Sequence, residues 1–160
     1  GEGRNALYLS QQGFFVSVTD LSKVGLERLK SIAEEKDFNI NTRVTDVTAE
    51  GIDGMYDSVI LSFVLHHMND EDAKKIIVEA QQHTIGGGVH VLSTFSNQGG
   101  LYDRNIKTGR FYPSEETLKE LYVDWNIKEL SSKEMTAHAR NKNGERMKNF
   151  VVTLIALKNK

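Results

Sequence analysis

The apolar residues of this chain follow two different periods in turn, which predicts alternating strands and helices. Short apolar runs typical of buried strands are separated by stretches whose apolar residues recur every three to four positions. The predicted strands are 14–19, 41–45, 56–64 and 89–94, and the predicted helices are 5–12, 23–35, 70–83 and 115–123. This alternation favours an α/β fold with a doubly wound, mostly parallel, Rossmann-like sheet.

The last part of the chain follows a different pattern. Two long extended runs, 126–140 and 145–157, flank the sequence Lys142-Asn143-Gly144, which is a strong turn signal. We therefore expect an antiparallel hairpin at one edge of the sheet.

A glycine-containing segment opens the chain, Gly1-Glu2-Gly3-Arg4-Asn5, and Gly3 lies 17 positions before Asp20 at the end of the strand 14–19. Glycine lets the backbone approach a ligand closely, and the N–H groups of the following helix point to the same place. A carboxylate at the end of the next strand can bind both ribose hydroxyls. The spacing predicts a nucleotide-type cofactor site, and a tight turn that binds nothing is the alternative.

The choice of nucleotide depends on a second carboxylate, that of Asp46. Gly1, Gly3 and Ala6 fit the dinucleotide fingerprint, but none of the five tyrosines has the lysine four positions on that short-chain dehydrogenases use. That interpretation also leaves Asp46, which ends the strand 41–45, unexplained. S-Adenosylmethionine fits better, although each aspartate could instead cap a helix.

In the S-adenosylmethionine interpretation, the glycine loop passes the methionine part, Asp20 holds the ribose and Asp46 borders the adenine. The end of the strand 56–64 supplies backbone groups to the amino-acid end. The candidate cofactor residues are Gly1, Gly3, Arg4, Asn5, Asp20, Leu21, Asp46, Val47, Ser62 and Phe63.

The glycine loop should follow a central strand, and no residues precede Gly1 in this sequence. We therefore expect that residues 1–160 form a single, N-terminally incomplete domain whose first strand is absent from this chain. The gap would fall at the topological switch point, where such folds bind ligands, so we expect weak cofactor binding by this chain alone.

Composition excludes several classes of protein. A net charge of -2 argues against a general nucleic-acid binder, and no segment reaches the length of a membrane span. Without a signal-peptide pattern, the expected location is cytoplasmic. Cysteine is absent, which excludes disulfides, thiolate metal sites and a cysteine nucleophile from this chain. The oligomeric state cannot be deduced from the sequence.

Four segments carry a resemblance to a known family: Gly1-Glu2-Gly3-Arg4-Asn5-Ala6-Leu7-Tyr8-Leu9, Arg43-Val44-Thr45-Asp46, Gly54-Met55-Tyr56-Asp57 and Asn143-Gly144-Glu145-Arg146-Met147-Lys148. The chain resembles the tellurite-resistance methyltransferases of the TehB type, which have the S-adenosylmethionine-dependent seven-strand fold. The resemblance implies methyl transfer to a small acceptor, tellurite or selenite. It also implies catalytic or substrate contacts at His138 and Arg146.

The chain departs from the family pattern beside His138. The family pairs this histidine with an adjacent arginine, whereas this chain reads His138-Ala139-Arg140. A three-residue loop ending in Gly144 would place Arg140 opposite Arg146 and His138 opposite Lys148, so that all four share a face. A two-residue loop would separate His138 from Arg146. We expect the three-residue loop, with an anion between the two arginines, and Arg140 as a third catalytic candidate.

Three other features have simpler interpretations. His66 and His67 follow a strand and face the cofactor crevice in related methyltransferases, and we expect no metal there. His83 and His90 are expected at the surface or a sheet edge. The segment from Ser96 to Tyr112 is either a lid over the acceptor or a plain connection.

Three alternative functions remain. They are a nicotinamide-dependent oxidoreductase, a methyltransferase for another small molecule and a cofactor-binding module that acts through a partner.

Overall fold

The computed structural model describes residues 1–140 and 143–160, with the backbone alone for residues 137–140. The described chain divides into two compact units, Gly1–Gly51 and Ile52–Lys160. Each unit combines helices with a sheet, as the alternating pattern predicts.

The first unit has a parallel pair of strands at its centre. The strands are β1 (Val16–Asp20) and β2 (Ile40–Val44), and the helices are α1 (Arg4–Gln11), α2 (Lys23–Glu35) and α3 (Val47–Glu50). Its core is made by Ala6, Leu26 and Leu29, against which half-buried residues of α1, β1 and β2 pack. The apolar stripe of α2 therefore faces the sheet, as its helical period requires.

The second unit contains a mixed sheet with strand order β3-β4-β6-β5. Its strands are β3 (Tyr56–Ser62), β4 (Thr84–Gly99), β5 (Trp125–Arg140) and β6 (Arg146–Lys158). Its α-helices are α4 (Asp70–Gln82), α5 (Gly100–Asn105) and α6 (Glu115–Leu121), and 3-10 turns cover Leu65–His67 and Ile106–Thr108. β3 and β4 are parallel, whereas β6 is antiparallel to both of its neighbours.

Side-chain caps fix the starts of three of the four predicted helices, whereas α1 starts after Gly3 without a side-chain cap. Ser22 accepts a hydrogen bond from the Gly25 N–H at 3.1 Å, and Asn69 accepts one from the Asp72 N–H at 2.8 Å. Ser114 caps α6 through the Thr117 N–H in the same way. Each cap satisfies an N–H group that has no partner within its own helix, so the sequence determines these boundaries locally.

The predicted fold class is confirmed, with the antiparallel hairpin at the edge of the sheet. In the described part of the chain, however, the strands form two sheets rather than one. The strand predicted over 89–94 is also longer than expected, because β4 begins at Thr84 and continues to Gly99 beside β6. None of the described helices combines the length and apolar character that a membrane crossing needs.

The position predicted for His90 is wrong, because its side chain is only 1% exposed. Its Nε2 lies 3.1 Å from the Ala80 carbonyl oxygen and 2.7 Å from the Thr84 hydroxyl. His83 is half-buried, and its Nδ1 lies 2.6 Å from the Gly54 carbonyl oxygen. His90 therefore belongs to the core of the second unit, where α4 packs on β4.

Candidate functional site

The glycine loop leads directly into α1. Gly3 precedes the helix with φ 72°, in the left-handed region that favours glycine. A Cβ on Gly3 would come within 2.5 Å of the Leu29 side chain, which is fully buried, whereas a Cβ on Gly1 would meet nothing within 4 Å. Gly3 is therefore required by the close packing of the loop on α2, in addition to any approach of a ligand.

Asp20 ends β1 beside this loop. Its carboxylate accepts a hydrogen bond from the Ser22 N–H at 2.8 Å and lies beside Gly1. Partial burial acts to raise its pKa, but hydrogen bonds, including those from the Ser22 and Leu21 N–H groups, outweigh burial and hold the pKa below its ordinary value. Asp20 is thus an ionised acceptor at neutral pH, and its oxygens retain further lone pairs for a ligand.

Asp46 follows β2 and caps α3. Its carboxylate accepts hydrogen bonds from the Thr48 hydroxyl at 2.6 Å and the Thr48 N–H at 3.0 Å, and these bonds lower its pKa. Asp20 pairs with Val44 in the parallel register, and the Thr45 N–H donates to the Asp20 carbonyl oxygen. Both carboxylates therefore lie at the carboxyl edge of the β1–β2 sheet, where open α/β folds bind ligands.

The other cofactor candidates of the first unit occupy different surroundings. Leu21 is 69% exposed directly after Asp20, and Val47 is half-buried in the first turn of α3. Arg4 and Asn5 are exposed in the first turn of α1. The Arg4 side chain lines a groove between α1 and α2 together with Tyr8, Lys36 and Phe38. Arg4 is therefore one of the residues that line this groove.

Ser62 and Phe63 lie at the carboxyl end of β3 in the second unit. Phe63 has φ 54°, a left-handed conformation that is costly for an aromatic residue. Its N–H donates to the Ser93 carbonyl oxygen at 2.7 Å, which holds this conformation in place. Such strain is concentrated at ligand-binding sites, and here it turns the chain sharply at the edge of the sheet.

His66 lies one turn after Phe63 and is 6% exposed. Its Nδ1 lies 3.3 Å from the Thr94 hydroxyl, and its ring packs edge-on against Phe95 at 4.8 Å between centroids. Burial first, and then the charges of His67 and Arg110, lower its pKa to about 4. His66 is therefore neutral at pH 7. The sequence could indicate its position after a strand, but not its burial.

The catalytic candidates lie on the hairpin. Arg140 pairs with Arg146 in the backbone register, as the three-residue loop predicts, and Arg146 is exposed. The expected pairing of His138 with Lys148 is wrong, because Thr136 lies opposite Lys148 and a register irregularity separates Thr136 from Arg140. The irregularity places four residue steps of the β5 backbone, from Thr136 to Arg140, against two steps of β6.

Part of this tip lies outside the described residues. The side chains of His138 and Arg140 are not described, and neither is the expected pairing of Asn141 with Glu145. Lys148 forms an ion pair with Glu134 at 3.0 Å between Nζ and Oε1. The positive charge of Lys148 is thus partly neutralised by Glu134, whereas a residue that binds an anion needs its charge available.

The segment from Ser96 to Tyr112 is held against β6 in the second unit. β4 extends to Gly99 and leads into α5, and the Asn149 side-chain oxygen accepts a hydrogen bond from the Leu101 N–H at 2.8 Å. A Cβ on Gly99 would come 2.5 Å from the Lys148 carbonyl oxygen, so this turn needs glycine. Residues 103–104 and 106–110 are exposed, whereas Phe111 and Tyr112 are buried.

Chemically, the two units offer different groups. The first provides an ionised carboxylate beside a glycine loop and an exposed apolar side chain. The second unit provides arginines at the hairpin and a neutral histidine, His66, just beyond the carboxyl end of β3. Among the described residues, no group of three or more His, Cys, Asp or Glu side chains is arranged to hold a metal ion.

The fold is that of the methyltransferases. The chain superposes with a TM-score of 0.74 on magnesium protoporphyrin IX methyltransferase (ChlM) from Synechocystis PCC 6803 with bound SAH, at 19% identity, covering 99% of this chain and 70% of that one. At this level of identity the similarity shows the fold alone.

A narrower relationship follows from the sequence. The family model described as tellurite resistance protein TehB matches residues 1–155. The chain is 30% identical over 158 residues to the probable S-adenosyl-L-methionine-dependent methyltransferase TehB of Haemophilus influenzae (strain 10810), covering 99% of this chain and 54% of that protein.

The crystal structure of TehB from Haemophilus influenzae is similar too, with a TM-score of 0.84 at 28% identity, covering 99% of this chain and 55% of that one. The chain belongs to the TehB family, which confirms the resemblance found in the sequence. It spans about half the length of the curated relatives that it matches.

Proposed function

We propose that this chain takes part in S-adenosylmethionine-dependent methyl transfer to a small acceptor, with the oxyanions tellurite and selenite as the first candidates. Membership of the TehB family supports the reaction class. The observation that carries the proposal is the ionised Asp20 carboxylate beside the glycine loop, at the same sheet edge as Asp46.

The residues at this edge fit S-adenosylmethionine, because an ionised carboxylate at a strand end suits a ribose diol and an exposed leucine suits the face of a base. Asp20 would hold the ribose, and Leu21, Asp46 and Val47 would border the adenine. The loop from Gly1 to Asn5, Arg4 included, would pass the methionine part, and the backbone of Ser62 and Phe63 would face the amino-acid end. When bound, this cofactor supplies a methyl group activated by a positive sulfur.

The acceptor would be held from the hairpin. Arg146 can donate charge-assisted hydrogen bonds to an oxyanion, and Arg140, directly opposite it in the register, would add a second guanidinium. Two like charges opposite each other repel, and an anion between them removes this cost. His138 would act as a general base for a protonated acceptor near neutral pH.

The protein's main contribution in this reaction is alignment. Holding donor and acceptor in line while excluding water can lower a barrier by about 7 to 11 kcal/mol, and no covalent enzyme intermediate is needed. We expect the same residues to serve if the acceptor is another small molecule, because the fold does not determine the substrate.

Two measurements test the proposal. Calorimetry should show binding of S-adenosylhomocysteine and no binding of nicotinamide dinucleotides, and the reverse result would favour an oxidoreductase. Protein supplied with methyl-labelled cofactor and selenite or tellurite should release a labelled methylated product. Cofactor binding without transfer to any acceptor in a screen would favour a module that acts through a partner. A cytoplasmic location and the absence of nucleic-acid and membrane partners remain predictions.

A further inference from the structure

A group of rings lies just beyond the carboxyl end of β3, which we call the aromatic cluster: Phe63, His66, Phe95, Tyr102 and Tyr112. Its ring centroids are 5.3 Å apart for Phe63 and Phe95, 4.8 Å for His66 and Phe95, 6.4 Å for His66 and Tyr112 and 5.7 Å for Tyr102 and Tyr112. Phe63, Phe95 and Tyr102 are half-buried and the neighbouring His67 is exposed, so the cluster reaches solvent on one side.

Tyr112 is the unusual member of this cluster. Its side chain is 8% exposed, and its hydroxyl is buried without a hydrogen-bond partner among the described residues. Tyr122, by contrast, is fully buried, and its hydroxyl bonds His90 at 2.9 Å. A buried hydroxyl without a partner is costly, and such groups in native proteins call for a partner such as a water molecule or a ligand.

His66 is the second polar group of the cluster. Its ring is neutral, and if its Nδ1 accepts from the Thr94 hydroxyl, its Nε2 carries the proton and is a donor. A phenol hydroxyl and an imidazole N–H in aromatic surroundings suit an oxygen atom of a small ligand. The positive charge of Arg110, which acts on His66, favours a ligand with negative charge.

The segment that carries Tyr112 is held in place by backbone contacts. The Phe111 N–H donates to the Met68 carbonyl oxygen at 3.0 Å, and the Asp70 N–H donates to the Gly109 carbonyl oxygen at 3.2 Å. Arg110 forms a β-bridge with Asn69 between them. Tyr112 is thus fixed to the turn that carries His66, which gives the two polar groups a set spacing before any ligand binds.

We propose that Tyr112 and His66 bind an oxygen atom of the methyl acceptor as hydrogen-bonding groups separate from the arginines of the hairpin. This inference rests on the proposed function, because the proposed function makes the methyl acceptor a small oxyanion such as selenite. The two tyrosines Tyr112 and Tyr122 provide a matched test, because the change to phenylalanine removes one buried hydroxyl from each and little else.

The experiment measures selenite binding by calorimetry in the presence of S-adenosylhomocysteine, with thermal unfolding of the same full-chain proteins. Tyr112→Phe should bind selenite roughly tenfold more weakly, with unchanged affinity for S-adenosylhomocysteine and no loss of Tm. Tyr122→Phe should bind selenite like the wild type and unfold at a lower temperature. In the labelled-methyl assay, Tyr112→Phe should raise KM for selenite more than it lowers kcat.

The inference is overturned if Tyr112→Phe binds selenite as tightly as the wild type, if it loses as much Tm as Tyr122→Phe, or if the wild type binds no selenite. Failure of the proposed function gives a different result. In that case the wild type binds selenite but transfers no methyl group to it.

Discussion

His90 accepts a hydrogen bond at Nδ1 from the hydroxyl of Tyr122, at 2.9 Å. The direction follows from the other ring nitrogen, because Nε2 faces the Ala80 carbonyl oxygen, which can only accept. Burial raises the pKa of Tyr122, so the phenol keeps its proton. A histidine of β4 and a tyrosine that follows α6 are thus joined inside the core of the second unit.

Replacement of Tyr122 by phenylalanine should destabilise the protein. The substitution leaves the buried His90 Nδ1 without its donor, and we expect the free energy of unfolding to fall by about 1 to 3 kcal/mol. Urea unfolding measures the change. Tyr8→Phe is the matched control, since Tyr8 is 62% exposed and its change should stay within about 0.5 kcal/mol. Equal effects of the two substitutions would contradict the buried hydrogen bond.

Stability should fall as the pH is lowered from 6.5 towards 4. Burial is the main cause that lowers the pKa of His90 to about 4, so the unfolded chain takes up a proton in this range that the folded chain does not. His90 contributes its full stabilisation above pH 6.5, and about 3 kcal/mol of it is lost by pH 4. His66 acts in the same direction.

Urea midpoints between pH 7.5 and pH 4 test this dependence. Asp20 and Asp46 have lowered pKa values, so their own stabilisation is lost only below about 3.8, outside this range. In His90→Gln the pH slope between 6.5 and 4 should become shallower. An unchanged slope would show that His90 does not control it.

Alanine at Gly3 should be more harmful than alanine at Gly109, although both glycines have positive φ. At Gly109 a Cβ meets nothing within 4 Å, so only backbone strain of about 1 to 2 kcal/mol is expected. At Gly3 the Cβ also clashes with the buried Leu29, which should add about 1 to 3 kcal/mol. Denaturant unfolding of the two variants gives the comparison, and similar losses would mean that Leu29 moves aside freely.

Asp20→Asn should weaken binding of S-adenosylhomocysteine about tenfold or more, because the amide replaces a charged acceptor with a neutral one. Calorimetry measures the affinity. Asp37→Asn is the control: Asp37 is exposed with φ 53°, a conformation that asparagine tolerates, and its substitution should leave the affinity unchanged. Unaltered binding by Asp20→Asn would remove Asp20 from the proposed cofactor site.

Arg146→Ala should raise KM for selenite about tenfold or more, since it removes a charge-assisted contact to the anion. Lys148→Ala removes a nearby cation of the same strand face, but that lysine already pairs with Glu134, in an exposed contact worth less than about 1 kcal/mol. Steady-state methyl transfer measures both variants. If the two substitutions had the same effect, general positive charge rather than Arg146 would explain acceptor binding.

Much of the fold could be predicted because its signals are local. The bounds of α2, Lys23–Glu35, agree with the prediction because Ser22 caps the helix and its apolar stripe has a helical period. The hairpin follows from the Lys142-Asn143-Gly144 turn signal, and the pairing of Arg140 with Arg146 follows from a three-residue loop that ends at Gly144. The pairing of His138 could not be predicted, because the order of polar and apolar residues along the chain gives no sign of the register irregularity after Thr136.

The candidate site could be predicted in part. The positions of Asp20 and Asp46 at strand ends come from the sequence, and the parallel register of β1 and β2 brings both to one edge. The role of Asp46 as a helix cap was one of two alternatives in the sequence, and the structure adds the capped helix α3. The aromatic cluster was not predicted, since its members come from separate segments.

The sequence by itself determined the main alternation of strands and helices, the starts of α2, α4 and α6 and the family, because caps, turns and apolar periods act between residues close along the chain. Tertiary structure alone decided that His90 is a core residue and that Tyr112 lies beside His66. The physical reason is that burial depends on which faces meet. A histidine on a strand has the same neighbours in sequence whether α4 covers its face or water does.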